Sequence, residues 1–155
     1  MPVAPLLVFA YGNPSRGDDA LGPLFGERAA ALPAVAARAS EIEFLTDFQL
    51  QVEHALDLVG RRAVLFVDAS ASCPPPFVLE EARPARDASF SSHELSPAAV
   101  LQAYVDVTGD APPPTEVLAI RGHEFELGRE LSPAAESALA LALRRFEGWL
   151  DAFNP

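Results

Sequence analysis

The sequence predicts an α/β protein: a single-domain three-layer sandwich, with a twisted, mostly parallel sheet of about five strands and helices on both faces. Three observations lead there. Pro5–Tyr11 "PLLVFAY" and Ala63–Val67 "AVLFV" are short, continuous apolar runs, the pattern of parallel strands buried on both sides. Segments with helical periodicity alternate with them, as βα units require. The chain has 155 residues, half of them hydrophobic, which suits one domain over residues 1–155 with a sizeable core.

The elements follow in order. After the first strand, Ala20–Leu32 reads as a helix, with Asp18 or Asp19 as its N-cap and Pro33 closing it or beginning the next connection. Glu41–Thr46 "EIEFLT" alternates polar and apolar, as a half-covered strand does. Leu50–Val59 reads as a helix with Gly60 at its C-terminal cap. Ala63–Val67 then ends at Asp68, the proline cluster Cys73–Pro76 breaks the chain, and Phe77–Glu81 is a further strand. Ser96-Pro97 opens a helix through about Val107, serine capping and proline taking the first helical position. Thr115–Arg121 is a strand. Ser132-Pro133 repeats the same start for a last helix to about Trp149, whose Leu139, Leu143, Phe146 and Leu150 share one face.

Charge narrows the partners. With 22 acidic and 11 basic residues the net charge is −11, the wrong sign for nucleic acid or an anionic membrane. The single cysteine, Cys73, permits no internal disulfide, which suits a reducing compartment. The first residues lack a basic region and a cleavage signal, and no apolar run reaches a membrane span. The expectation is a cytoplasmic protein. Without heptad repeats it is expected to be a monomer.

The stretch Val8–Gly22 "VFAYGNPSRGDDALG" poses the functional question. A loop between strand and helix often cradles phosphate, but this one has neither dinucleotide nor P-loop glycine spacing and ends in two aspartates. Its only cation is Arg16, a solvated loop residue or a contact for an acidic group. In doubly wound sheets, ligands bind beyond the carboxyl ends of the strands. That rule selects the Asp18-Asp19 pair, Asp68 at the end of a strand, and His93 before the Ser96 helix. Two carboxylates and one imidazole suit a divalent ion such as zinc or nickel, with positions left open. Each residue also has a plainer reading: helix cap, turn residue, exposed histidine. No Gly-x-Ser-x-Gly elbow occurs and nothing marks Cys73 as a nucleophile. His54 and His123 read as surface or partly buried histidines, and Phe48 and Phe125 as core residues or substrate contacts.

These residues resemble the hydrogenase maturation endopeptidases, which remove a C-terminal extension from the large subunit of nickel–iron hydrogenases once nickel is in place. Gly12, Asn13, Asp18, Asp19 and Gly22 in "GNPSRGDDALG" match the family's opening motif. "VLFVDAS" matches its apolar strand ending in aspartate, here Asp68. "SSHELSPAAVLQAY" matches its Ser-x-His segment, here His93, and "AIRGHEFELGRELSPAAESAL" resembles its last strand, loop and helix start. The resemblance implies a twisted sheet between helices and a metal site of Asp19, Asp68 and His93, which also carry catalysis. Gly12, Asn13 and Asp18 are expected at the substrate, with Asp18 capping the helix or orienting its neighbour. No cofactor is expected to be firmly bound; the three ligands would meet nickel already seated in the large-subunit precursor, and nickel, cadmium or zinc could occupy the site. One stretch departs from the family: "LTDFQLQVEHALDL" lacks the expected glycine turn, which leaves Asp47 a weak candidate. "QLQVE" resembles the subset that serves soluble, cofactor-reducing hydrogenases. Two other readings stay open: a nickel-sensing chaperone without cleavage, and a metal-dependent hydrolase of small molecules.

Overall fold

The computed structural model describes residues 3–87 and 95–153. Five strands form one sheet: β1 (Leu6–Tyr11), β2 (Ile42–Asp47), β3 (Ala63–Ser70), β4 (Phe77–Glu81) and β5 (Thr115–Arg121), in the order β2-β1-β3-β5-β4. β1 runs parallel to both neighbours, with Leu6 opposite Ile42 on one side and Ala63 on the other. β5 runs parallel to β3, and only β4, at the far edge, is antiparallel. The carboxyl ends of β2, β1, β3 and β5 therefore share one edge. The chain leaves β1 for β2 on one side and then crosses to β3 on the other, so the strand order reverses between β1 and β3. Such a switch point opens a crevice beyond the strand ends.

Every residue of β1 is buried, and its alternation divides the core in two. Leu6, Val8 and Ala10 pack with α1 (Leu21–Ala30) and α4 (Pro133–Asp151) through Phe25, Leu139 and Phe146. Leu7, Phe9 and Tyr11 pack on the opposite face with α3 (Pro97–Thr108) through Val100, Leu101 and Tyr104. A strand covered on both faces has no reason to alternate in polarity, which is why it reads as an unbroken apolar run.

Both serine–proline helix starts form as expected. The Ser96 hydroxyl accepts from the Ala99 N–H at 3.1 Å and the Ser132 hydroxyl from the Ala135 N–H at 3.2 Å. Two expectations need correction. The segment expected as a helix over Leu50–Val59 is a 3-10 turn over Val52–Leu58, started by a box in which Gln51 and His54 cap each other's backbone. Pro33 begins the connection that follows, as the first residue of a one-turn helix, α2 (Pro33–Ala36), because its fixed φ fits a first helical position. Neither Asp18 nor Asp19 caps α1: a 3-10 turn over Gly17–Ala20 leads straight into it, and no side-chain cap is made. Among the described residues, no helix is long and apolar enough to cross a membrane.

Candidate functional site

The loop from Gly12 to Asp19 is shaped by close approaches. Gly12 has φ +149°, and a Cβ there would lie 2.2 Å from the Asp19 carbonyl oxygen. A Cβ on Gly22 would lie 2.1 Å from the Tyr11 carbonyl oxygen, so α1 packs directly on the end of β1. Glycine at both positions lets the chain reverse within its own width. Inside the turn, the Asn13 N–H donates to Asp19 Oδ2 at 2.7 Å, and Asn13 Oδ1 accepts from the Ser15 N–H at 2.9 Å. Asn13 thus holds the Asp19 carboxylate in place while folding its own turn.

Asp19 and Asp68 line one cleft of about 220 Å³, with Tyr11, Gly12, Leu95 and Phe125 among the other walls. It sits at the carboxyl ends of β1 and β3, where the strand order reverses. Both carboxylates are partly exposed. Two such groups on an open cleft can hold a cation or take protons from a bound water, and they disfavour a phosphate. Another hollow, of about 260 Å³ between Trp149, Phe153, Glu81 and Pro114, lies at the amino ends of β3 and β5, far from these aspartates.

His93 lies outside the described residues; Leu95, two positions later in the chain, is a wall of the cleft. Among the described residues no group of three or more His, Cys, Asp or Glu side chains could hold a metal ion. The described side chains on the cleft that could donate to a cation are thus two carboxylates. Oxygen donors on an open cleft fit transient capture of a divalent ion better than a closed structural site.

Asp18 is completely buried beside its partly exposed neighbour. Its carboxylate accepts from the His123 N–H at 2.7 Å, the Glu124 N–H at 3.0 Å, and the Ser132 N–H and hydroxyl, both at 2.7 Å. Burial pushes its pKa up, but the bonds from Ser132, His123 and Glu124 outweigh that and leave it below the ordinary value of 3.8. Its own N–H donates to the Glu124 carbonyl at 2.7 Å. The residue expected at the substrate instead fastens the segment after β5, which carries Phe125, against the first loop. Arg16 joins the same contact, its Nε donating to the Phe125 carbonyl at 3.5 Å. The His123 side chain is exposed and is not a wall of the cleft.

Asp47 is not a wall of the cleft; it lines a neighbouring groove, and its Oδ2 lies 3.2 Å from His54 Nε2. His54 is buried. Phe48 and Phe125 both line the cleft, so neither is a core residue in the ordinary sense. Cys73 is half-buried, its thiol directed at the Ala119 carbonyl at 3.6 Å. The fastening of Asp18 to Ser132 has no local signal in the sequence, because its partners lie more than 100 residues away.

An α/β sheet with a carboxylate pair at its switch point is thus the class that fold and site define. The solved structures it resembles are more specific. It is similar to the hydrogenase maturating endopeptidase HybD from E. coli, with 22% identity, TM-score 0.73, and coverage of 98% of this chain and 93% of that one. It is similar to the [NiFe] hydrogenase maturation protease HycI from Thermococcus kodakarensis KOD1, with 22% identity, TM-score 0.67, and coverage of 92% and 90%. An endopeptidase from Escherichia coli solved in solution gives 22% identity, TM-score 0.68, and coverage of 94% and 90%. The chain has the fold of these hydrogenase maturation proteases. No protein-family model matches the chain, and no curated protein does.

Proposed function

We propose that this protein is an endopeptidase of hydrogenase maturation: it removes the C-terminal extension of a nickel–iron hydrogenase large-subunit precursor after nickel insertion. The observation that carries this reading is the meeting of Asp19 and Asp68 on one cleft at the strand ends, in a fold shared with proteases named for that task. Gly12 and Asn13 support it, because their geometry serves to present Asp19.

In this reading Asp19, Asp68 and His93 meet the nickel of the precursor, which is part of the substrate. That ion, when present, supplies positive charge next to the scissile bond. The rest falls to the chain. Asp19, held by the Asn13 N–H, and Asp68, fixed by the sheet, provide oxygen donors of set direction. His93 provides a neutral ring nitrogen. One carboxylate takes a proton from the attacking water as its oxygen bonds to the carbonyl carbon. The C–N bond then breaks, and the proton passes to the departing amine. With no firmly bound cofactor of its own, the protein would act only on precursor already loaded with nickel. We place it in the cytoplasm as a monomer.

The test is a cleavage assay on a large-subunit precursor from the same source, with and without nickel, read by intact mass. Loss of a C-terminal peptide only with nickel, and not with Asp19→Ala or His93→Ala, supports the reading. Binding without any loss of mass would replace the protease with a nickel-sensing chaperone.

A further inference from the structure

We propose that Phe48 is a specificity-determining residue, giving an apolar side chain of the substrate its seat beside the scissile bond. The proposal rests on the protease reading and adds a recognition element to it. Phe48 is 67% exposed, so the core gains little from it. It is nevertheless a wall of two adjoining spaces. One is the cleft of Asp19 and Asp68. The other is a groove of about 300 Å³ formed with Gly12, Pro14, Pro23, Thr46 and Asp47. Gly12 also belongs to both. The groove therefore adjoins the cleft, with Gly12 and Phe48 as the walls they share.

The aromatic ring stands on a built mount. The Phe48 N–H donates to Asp47 Oδ1 at 2.7 Å. Asp47 Oδ2 lies 3.2 Å from His54 Nε2, and His54 Nδ1 accepts from the Gln51 N–H at 2.8 Å. Because Nδ1 accepts, the ring proton is on Nε2 and is donated to Asp47. His54 in turn packs edge-on against Phe9 of the core, with ring centroids 4.6 Å apart. The Asp47 carbonyl accepts from the Gly12 N–H at 3.1 Å, which fixes the mount to the first loop. These bonds fix the backbone that carries the ring, so the chain at Phe48 loses less freedom on binding than an unheld loop would.

The occupant follows from the walls. Two proline rings, a glycine and a phenylalanine make most of the lining apolar, beside Thr46 and Asp47. The occupant is an apolar side chain of the extended substrate segment, a residue near the scissile bond. Filling the groove also covers the Gly12 side of the cleft and excludes water from that flank.

A double-mutant cycle tests this. Each residue flanking the scissile bond of the nickel-loaded precursor is changed in turn to serine, and kcat/KM is measured with the unmutated protein and with Phe48→Ser. Thermal melting of Phe48→Ser should match the parent, since the ring is exposed. At one apolar position the precursor change should lower kcat/KM by about ten- to two-hundred-fold with the parent. It should cause no further loss with Phe48→Ser. Additive losses at every position overturn the seat and leave the protease standing. If no precursor is cleaved, the protease reading falls, and the same cycle is read as Kd for a synthetic peptide of the precursor's C-terminal segment. Coupling there keeps the seat; additivity or no binding overturns it.

Discussion

The buried carboxylate of Asp18 accepts hydrogen bonds from both the N–H and the hydroxyl of Ser132, 114 residues further along the chain, each at 2.7 Å. The same hydroxyl caps α4 by accepting from the Ala135 N–H. One contact therefore fixes the start of the last helix and the loop that presents Asp19.

Removing that acceptor should be costly. Asp18→Ala leaves the N–H groups of His123, Glu124 and Ser132 without the carboxylate they share. An unsatisfied buried donor costs about 1–3 kcal/mol, so the expected loss is about 3 kcal/mol or more. Urea denaturation should show a lower midpoint with an unchanged slope. Ser132→Ala, which removes a cap and one of the bonds, should cost about 1–2 kcal/mol in the same experiment.

Acid should act through the same group. The folded state holds the Asp18 pKa below its ordinary value of 3.8. Its contribution to stability is therefore fully present above the unfolded pKa and is lost as pH falls through the folded one. Melting temperatures recorded from neutral pH downward should fall below about pH 4. Asp18→Asn, already destabilised at neutral pH, should show a shallower fall over that interval.

Gly22→Ala should destabilise the protein, although alanine is the better helix former by about 1 kcal/mol. The added methyl would lie 2.1 Å from the Tyr11 carbonyl oxygen, a backbone atom that cannot turn aside. Moving α1 off β1 should cost about 1–3 kcal/mol net, read from the denaturation midpoint.

Asp68→Asn separates chemistry from folding. The amide keeps the size of the side chain but loses its charge and its basicity. Under the protease reading, cleavage of nickel-loaded precursor should fall about a hundredfold or more. A thermal melt of the same variant separates any loss of folding from the loss of cleavage.

How far the sequence revealed these features depended on how local each signal was. β4 and β5 coincide with Phe77–Glu81 and Thr115–Arg121, because strand composition and flanking prolines are local properties. The two Ser-Pro helix starts were equally legible. The Leu50–Val59 segment was not: its apolar spacing suits a helix, yet Gln51 and His54 close a tighter turn that periodicity does not register. At the site, the rule about strand ends selected Asp19 and Asp68, which share the cleft. Asp18 was expected to cap the helix or orient Asp19, but the partners that hold it were hidden, since they lie more than 100 residues away. Asp47 was noticed for a missing glycine turn, whereas its bond to the backbone of Phe48 concerns an aromatic mount.

The fastening of Asp18 also sets an order of events during synthesis. β1, β2 and β3 can pair as soon as residue 70 has been made, and the loop that bears Asp19 can then exist. The partners that hold its neighbour belong to residues 123–132. A growing chain therefore carries both aspartates of the cleft before it can fasten the loop that bears Asp19, which happens only once residues 123–132 have been made.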